Sequence, residues 1–244
     1  MVEADGNASL AIAVRGLTKT YGAQVILRDL DLRVAWGDFL TVFGPNGAGK
    51  TTLMKVLATL SRPTKGEVRV AGFDLSKNPA AIRRNIGVVT HQPLLYGDLT
   101  AFENLSFQGR MFGLEQLEER IERTAGLMGI GRYLGHKVDT LSHGMQKRVS
   151  LARAILHDPP VLLLDEPETG LDQEALSMLA EVVVSGERGR RTVLMVTHSL
   201  ERGLALSNRV AILTGGKIAY QEERALVDEA GFKVAYSRFT GVTL

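Results

Sequence analysis

The residues with the most specific chemistry form a glycine-rich stretch that ends in a lysine and two threonines. The stretch fits the pattern G-x-x-x-x-G-K-[ST] and lies between a predicted strand, residues 38–43, and a predicted helix, residues 51–60. It consists of Gly44, Pro45, Asn46, Gly47, Ala48, Gly49, Lys50, Thr51 and Thr52. Glycines let successive backbone N–H groups point inward at phosphate oxygens, and the helix start adds a positive partial charge. The stretch therefore predicts a phosphate-binding loop.

Two side chains of this loop have predicted roles of their own. Lys50 is expected to reach the β- and γ-phosphates of a nucleotide. The hydroxyl of Thr51 is expected to take one coordination position on Mg²⁺.

A second pattern is an apolar run that ends in two adjacent carboxylates, Asp165 and Glu166. Residues 161–164 are typical of a strand buried on both faces. Asp165 fits a metal-binding role, and Glu166 fits the base that orients and deprotonates an attacking water. The structural alternative is that both carboxylates only cap a following helix near Pro167. The phosphate loop in the same chain favours the chemical interpretation.

A third pattern, Leu-Ser-His-Gly-Met-Gln, begins at residue 141 and opens a predicted helix that runs through Ile155. Ser142 is a good helix N-cap, and capping could be its whole role. The same geometry makes an anion site, because the Ser142 hydroxyl, the Gly144 amide and the helix dipole converge there.

The elements that must position these residues are read from the hydrophobic pattern. Strands are predicted over residues 10–14, 38–43, 68–71, 86–89, 161–164 and 192–197, with a hairpin from 210–213 and 217–220. Residues 100–156 have a helical texture, with a helix predicted over 114–127, and another helix is predicted over 172–184. Strands that alternate with helices indicate a mostly parallel sheet. Residues 225–244 show no clear pattern.

The composition is that of an ordinary globular protein and excludes several kinds of site. The 244 residues are 45% hydrophobic and carry a formal net charge of +2, which gives no reason to expect a nucleic-acid partner. There is no cysteine, so disulfides, thiolate metal sites and thiol nucleophiles are excluded. Residues 1–9 are polar and acidic, unlike a secretory signal, and no apolar run approaches the roughly 18 residues of a membrane span. Any work at a membrane is expected to need a partner.

Together these motifs resemble the nucleotide-binding domain of an ABC ATPase. The resemblance covers roughly residues 10–220 and rests on the phosphate loop, the Leu-Ser-x-Gly element before Leu-Leu-Leu-Asp-Glu-Pro, and a Thr-His pair after a later strand. It implies an α/β fold with a P-loop NTPase (RecA-like) core, an N-terminal antiparallel β subdomain and an inserted helical subdomain at about residues 93–155. It implies one such domain over residues 1–244, with a C-terminal tail, about 225–244, of unassigned role.

The resemblance also implies roles for residues outside the phosphate loop. Tyr21 is similar to the aromatic residue that stacks on adenine. Gln92 resembles the glutamine that reaches Mg²⁺ and the attacking water, and His198 resembles the histidine that contacts the γ-phosphate. Asp172 is similar to the aspartate of a loop that crosses a dimer interface. The set implies catalytic roles for Lys50, Gln92, Glu166 and His198, and metal contacts from Thr51, Gln92 and Asp165.

The implied assembly is a head-to-tail dimer that holds two ATP molecules, with ATP and Mg²⁺ as ligands. Ser142 and Gly144 would then bind the γ-phosphate of ATP held by the second copy. The motif departs from the family's usual Leu-Ser-Gly-Gly-Gln at His143 and Met145, which puts the rate and regulation of hydrolysis in question.

The expected function is ATP hydrolysis that powers a separate multi-span membrane subunit, at the cytoplasmic face of the cell membrane. Residues 72–105 resemble the export-type ATPases, which serve drug, polysaccharide and lipid exporters and the haem exporter of cytochrome c maturation. The haem exporter is the hypothesis within this group. The alternative class is a soluble ABC ATPase acting on DNA or ribosomes, and such relatives usually carry coiled coils, zinc-binding cysteines or two phosphate loops. A non-hydrolysing binding module is disfavoured, because Lys50, Asp165, Glu166 and His198 are all present.

Overall fold

The computed structural model describes residues 10–169, 177–178, 180–181, 185–187 and 189–242. The strands are β1 Leu10–Tyr21, β2 Gln24–Ala35, β3 Phe39–Phe43, β4 Lys65–Val70, β5 Phe73–Asp74, β6 Ile86–Val89, β7 Val161–Asp165, β8 Ser185–Gly186, β9 Gly189–Arg190, β10 Thr192–Val196, β11 Arg209–Thr214 and β12 Lys217–Glu223. The helices are α1 Lys50–Leu57, α2 Pro79–Asn85, α3 Ala101–Met111, α4 Leu117–Leu127, α5 His143–Ile155, α6 Leu200–Leu206 and α7 Glu229–Thr240. Within this described part of the chain, no helix combines the length and apolar character needed to cross a bilayer.

The central sheet has six strands in the order β12, β11, β3, β10, β7, β6. All neighbours are parallel except the edge pair of β11 and β12, which forms the predicted antiparallel hairpin. A second sheet of four antiparallel strands, in the order β2, β1, β4, β5, comes from the N-terminal part of the chain. The predicted α/β fold class, with its parallel core, antiparallel subdomain and helical insertion, is confirmed.

The central sheet is buried on both faces, which explains the continuous apolar runs of its strands. In β7, Leu163 faces the cluster formed with α1 and the antiparallel sheet. The next residue, Leu164, faces the cluster formed with α3, α4 and α5. The same alternation occurs in β10, where Leu194 lies in the first cluster and Met195 in the second. The two faces therefore separate the antiparallel subdomain from the helical one.

Several predicted boundaries are corrected by the structure. The first strand extends from the predicted residues 10–14 to Tyr21, because β1 pairs along its length with β2. The predicted helix over 51–60 is α1 and ends at Leu57, since Thr59 has a positive φ of 62°. The predicted helix over 114–127 begins at residue 117, because Gln116 takes the left-handed conformation with φ 50°.

Strand β2 and the helix of the tail are among the elements that the sequence prediction missed. Strand β2 is absent from it, although Leu30, Leu32 and Val34 alternate with polar residues and are buried. The tail, which shows no clear pattern in the sequence, contains α7, and Asp228 caps this helix by accepting from the backbone N–H of Gly231 at 2.7 Å. The predicted helix over 172–184 falls mostly outside the described residues.

Candidate functional site

The predicted site residues follow the carboxyl ends of four parallel strands. Gly44 follows β3, Gln92 lies three residues after β6, Glu166 follows β7, and His198 lies two residues after β10. The register sets Val196 beside both Val42 and Asp165, so these ends lie at one edge of the sheet. In open parallel sheets this edge is where ligands bind.

The backbone of the glycine-rich loop has conformations and contacts that side chains would disturb. Gly47 and Gly49 have φ values of 79° and 107°, in the left-handed region that favours glycine. A Cβ at Gly44 would lie 2.2 Å from the carbonyl oxygen of Leu213, and a Cβ at Gly49 would lie 2.7 Å from Leu27. Strand β2, which carries Leu27, therefore supports the loop from behind. No side chain among the described residues caps the start of α1, which leaves its first N–H groups directed at the loop.

Lys50 is buried inside the loop that precedes it. Its Nζ donates to the carbonyl oxygens of Gly44 at 2.7 Å and Pro45 at 3.1 Å. Burial lowers the pKa of Lys50, and the charges of Glu166 and Asp165 oppose this shift. An ammonium has three donors, so one remains for a phosphate oxygen at the loop.

The three predicted metal-contacting residues line one cavity. The cavity has a volume of about 330 Å³, and Thr51, Gln92 and Asp165 all lie in its wall. Asp165 is 6% exposed, and burial, with the neighbouring charge of Glu166, raises its pKa. Lys147, His91 and Lys50 oppose that rise. The structure thus brings together a hydroxyl, an amide and a carboxylate that are far apart in the sequence.

Glu166 lies beside two histidines. Its Oε1 is 2.9 Å from Nδ1 of His198, and its Oε2 is 4.0 Å from Nδ1 of His91. Glu166 has a positive φ of 48°, and its N–H donates to the carbonyl of Val196 at 3.0 Å. A non-glycine residue in this conformation is uncommon and is found preferentially at functional sites. Glu166 and His198 are both predicted to be catalytic, and the structure places their side chains in direct contact.

Ser142 and Gly144 lie apart from this cavity, at the start of α5. Ser142 is the N-cap, and its Oγ accepts from the backbone N–H of Met145 at 3.3 Å. Its side chain and that of His143 are exposed. The N-terminus of a thirteen-residue helix is thus presented to solvent, where its N–H groups and dipole favour an anion.

Tyr21 ends β1 and is 48% exposed. The Nζ of Lys19 lies 4.7 Å from the centre of its ring, and its hydroxyl is 3.5 Å from Oγ of Ser61. An exposed ring of this kind can stack on a planar base. Asp172, predicted at the dimer interface, lies outside the described residues.

The sequence analysis missed two residues of the site. His91 was passed over, although its position beside Gln92 could have drawn attention to it. Lys147 is only 2% exposed, and its Nζ donates to the carbonyl of Thr90 at 3.2 Å. Nothing in the sequence distinguishes Lys147 from a solvated helix lysine.

The fold and the site together define a P-loop NTPase domain of the kind found in ATP-binding cassettes. The chain belongs to the ABC transporter family, whose model matches residues 27–169. It is an ATP-binding domain of that family, as the sequence resemblance predicts.

Curated relatives align over most of the chain. It is 36% identical over 198 residues to the ABC transporter ATP-binding protein NatA of Bacillus subtilis, covering 80% of each chain. It is 35% identical to the Nod factor export ATP-binding protein I of Cupriavidus pinatubonensis, covering 89% of this chain and 68% of the relative. It is 34% identical to the spermidine/putrescine import ATP-binding protein PotA of Pseudomonas fluorescens, covering 86% of this chain and 59% of the relative.

Solved structures share the fold. The ATP-binding cassette MJ0796, in a dimeric post-hydrolysis state bound to ADP and Pi, superposes with a TM-score of 0.80 and 29% identity. The match covers 87% of this chain and 98% of the other.

Proposed function

We propose that this chain is the Mg²⁺-dependent ATP-hydrolysing subunit of an export-type ABC transporter, acting on a separate multi-span membrane subunit. The observation that carries the hydrolytic part is the cavity lined by Thr51, Gln92 and Asp165, next to the contact between Glu166 and His198. These residues come from four separate segments of the chain and converge at the carboxyl edge of the sheet.

The donor set of the cavity fits Mg²⁺. Thr51 supplies a hydroxyl, Gln92 an amide oxygen and Asp165 a carboxylate, and Mg²⁺ prefers such hard oxygen ligands with several positions left for water and phosphate. When bound, the ion would neutralise charge on the β- and γ-phosphates.

Binding of the nucleotide is assigned to the glycine-rich loop and Lys50. The backbone N–H groups from Gly44 to Gly49 and the start of α1 supply donors for phosphate oxygens. Lys50 is held at the loop by two carbonyls and adds a positive charge where the β- and γ-phosphates would lie. Tyr21 is assigned to stack on the adenine base.

Activation of water is assigned to Glu166. Its Oε1 is held by His198, which fixes the direction in which the other oxygen faces. A positioned general base of this kind contributes typically 10²–10⁴-fold to a rate. Gln92 lines the adjoining cavity and is assigned to orient the same water.

The active form is proposed to be a head-to-tail dimer. Ser142 and Gly144 lie at the exposed N-terminus of α5, where a γ-phosphate bound by a second copy could be held. The dimeric state of MJ0796 with ADP and Pi supports this proposal. Asp172 is proposed to cross the same interface.

The transported substrate and the direction of transport rest on family relations. A relative named for Nod factor export supports the export assignment, and a relative named for spermidine/putrescine import shows that the family also serves import. Haem export for cytochrome c maturation stays a prediction from residues 72–105. A membrane partner would place the chain peripherally, at the cytoplasmic face of the membrane.

The hydrolytic proposal is tested with Lys50→Ala. Removing the ammonium deletes the cation held at the loop, so we expect weaker nucleotide binding and no measurable turnover. Binding is measured by calorimetry with ATP and Mg²⁺, and turnover by phosphate release. Wild-type turnover in the Lys50→Ala protein would mean that ATP hydrolysis does not depend on the phosphate loop.

The transport proposal is tested by capturing partners of the Glu166→Gln protein. This variant is purified from its own gently solubilised membranes with ATP and Mg²⁺, and its companions are identified by mass spectrometry. Recovery of a multi-span membrane protein supports the proposal, and haem absorbance or cytochrome-maturation proteins in the complex would single out haem export. Recovery of ribosomes or DNA without a membrane protein would refute the transport proposal and favour a soluble ABC ATPase that acts on DNA or ribosomes.

A further inference from the structure

Three side chains on one stripe of α5 hold the loop that contains Gln92. They are Lys147, Ser150 and Arg153, which are spaced three residues apart and so lie along one side of the helix. The Nζ of Lys147 donates to the carbonyl of Thr90 at 3.2 Å, and Oγ of Ser150 donates to the carbonyl of Pro93 at 3.0 Å. We call these three residues the α5 stripe.

The third member of the α5 stripe extends the contact by one residue. Nη1 of Arg153 donates to the carbonyl of Leu94. The carbonyls that accept therefore lie on both sides of Gln92, from Thr90 to Leu94. Thr90 also donates through its hydroxyl to the carbonyl of Gln92, which folds the loop onto itself. The segment is fixed to α5 at both ends, so a shift of the helix must move Gln92.

Lys147 is held by attraction to nearby carboxylates as well as by its hydrogen bond to Thr90. It is 2% exposed, and burial lowers its pKa, while the charges of Glu168, Asp165 and Glu166 oppose that shift. A buried cation is tolerated only where partners compensate for lost hydration. Lys147 thus connects α5 to the acidic side of the site as well as to the loop.

The same helix begins at the residues assigned to the second copy's ATP. Ser142 caps α5, and Lys147 lies five positions, about 7.5 Å of helix rise, further along it. Helices transmit a displacement of one end with little loss, because their backbone hydrogen bonds are continuous. A displacement of Ser142 therefore also displaces the residues of the α5 stripe.

We propose that Lys147, Ser150 and Arg153 are positioning residues that make Gln92 move with the start of α5. Engagement of Ser142 and Gly144 by ATP of the second copy then sets Gln92 in the chain's own site. The inference rests on the proposed function, because it requires that Gln92 serves hydrolysis and that Ser142 meets a second nucleotide. Its consequence is coupling between the two ATP sites of a dimer.

The test compares ATP hydrolysis of the wild type with Ser150→Ala, Arg153→Gln and Lys147→Met. Initial rates are measured against ATP concentration at fixed Mg²⁺, and ATP affinity of the monomer is measured separately without Mg²⁺. We expect kcat to fall at least tenfold in Lys147→Met and about threefold in each of the other two variants. We expect the Hill coefficient to fall from above 1 to about 1 in all three. Monomer affinity should change less than twofold, since the hydrogen bonds described for the α5 stripe go to the loop around Gln92.

Ser207→Ala is the matched control. Ser207 is also a buried serine whose Oγ donates to a carbonyl, that of Gly203 at 2.7 Å, but it lies at the end of α6. Its variant should keep wild-type kcat and Hill coefficient. Rescue of the Hill coefficient by Lys147→Gln, which restores a donor without a charge, would assign the coupling to the hydrogen bond.

The outcomes separate the inference from the proposed function. A wild type that neither hydrolyses ATP nor dimerises refutes the proposed function. An active wild type whose Hill coefficient is 1, or whose stripe variants keep its kcat and Hill coefficient, refutes the inference alone. Because Lys147 is buried, circular dichroism first checks that the Lys147→Met protein is folded. If it is not, the Ser150→Ala and Arg153→Gln variants decide the result.

Discussion

At the scale of single residues, Glu166 combines an uncommon backbone conformation with side-chain contacts to two histidines. Its backbone lies in the left-handed region, with φ 48°, and its side chain reaches both His198 and the neighbourhood of His91. The contact with His198 joins this carboxylate to the segment that follows β10. Asp165, one residue earlier, points into the cavity with Thr51 and Gln92. In the proposed function, these two adjacent carboxylates therefore have different roles, Asp165 at the metal and Glu166 at the attacking water.

Glu166→Gln should separate binding from hydrolysis. The amide keeps the size of the side chain but cannot accept a proton, so we expect ATP affinity within about threefold of the wild type and turnover lowered about 10²–10⁴-fold. Affinity is measured by calorimetry and turnover by phosphate release over hours. Asp165→Asn is the companion variant, and it should instead change the dependence on Mg²⁺ concentration. Full turnover in Glu166→Gln would mean that the base lies elsewhere.

At the scale of elements, the end of α4 shows why two nearby glycines are not equivalent. Gly129 follows the helix with φ 63°, and its N–H donates to the carbonyl of Gly126, while the N–H of Ile130 donates to that of Ala125. This is the pattern of a helix closed by a left-handed glycine. Gly126 lies inside the helix, and a Cβ there would meet open space.

The two alanine variants should shift stability in opposite directions. Gly126→Ala is expected to raise the free energy of unfolding by about 0.5–1 kcal/mol, because alanine loses less backbone entropy in a helix. Gly129→Ala is expected to lower it by at least about 1 kcal/mol, because its φ is unfavourable and its Cβ would lie 2.9 Å from Nη1 of Arg148. Urea denaturation measures both. Equal effects would contradict the assigned helix end.

His157, just beyond the end of α5, links stability to pH. It stacks on Phe112 with ring centres 3.9 Å apart, and its Nε2 is 3.1 Å from the carbonyl oxygen of Ile86. Burial lowers the pKa of His157 to about 4 from 6.5. Between these values the unfolded chain binds a proton that the folded chain does not, so stability must fall as the pH falls through this window.

His157→Gln should remove this dependence. In the wild type, we expect the free energy of unfolding to drop by on the order of 3 kcal/mol between pH 6.5 and 4 on account of this histidine. Glutamine retains a donor for the carbonyl of Ile86 but does not titrate. Urea denaturation at pH 7, 6, 5 and 4 gives the comparison. If both proteins lose stability in parallel, His157 is not the group responsible.

At the scale of the whole molecule, the proposed site is divided between two surfaces. The phosphate loop and the carboxylates lie at the edge of the central sheet, whereas Ser142 caps α5 in the helical subdomain and is exposed. The cavity lined by Thr51, Gln92 and Asp165 does not include Ser142 or Gly144. A second copy facing the first is the arrangement that would bring both surfaces to one nucleotide.

Dimer formation is therefore expected to need both surfaces. In the Glu166→Gln background, ATP with Mg²⁺ should double the mass measured by light scattering, and ADP should leave a monomer. Adding Ser142→Ala removes a donor for the second nucleotide and should weaken the dimer at least tenfold. A stable dimer without nucleotide, or one indifferent to Ser142, would contradict the head-to-tail arrangement.

The sequence alone determined the features that depend on neighbours along the chain. The glycine-rich loop, the acidic pair after an apolar strand and the Ser142 cap each follow from short-range stereochemistry, and each is found where predicted. The strands of the parallel core were also predictable, because burial on both faces makes them continuously apolar. Alternation could equally have predicted β2.

Only the tertiary structure decided which distant residues meet. Strand order places β7 between β6 and β10, and no local pattern encodes this order. The pairing of β6 with β7 brings Gln92 beside Asp165, in one cavity with Thr51. The contact between Glu166 and His198 depends on the pairing of β7 with β10. Lys147 became significant only once α5 was seen to bury it against Thr90. Such contacts arise from packing between segments far apart in the chain, and the periodicity of any one segment does not contain them.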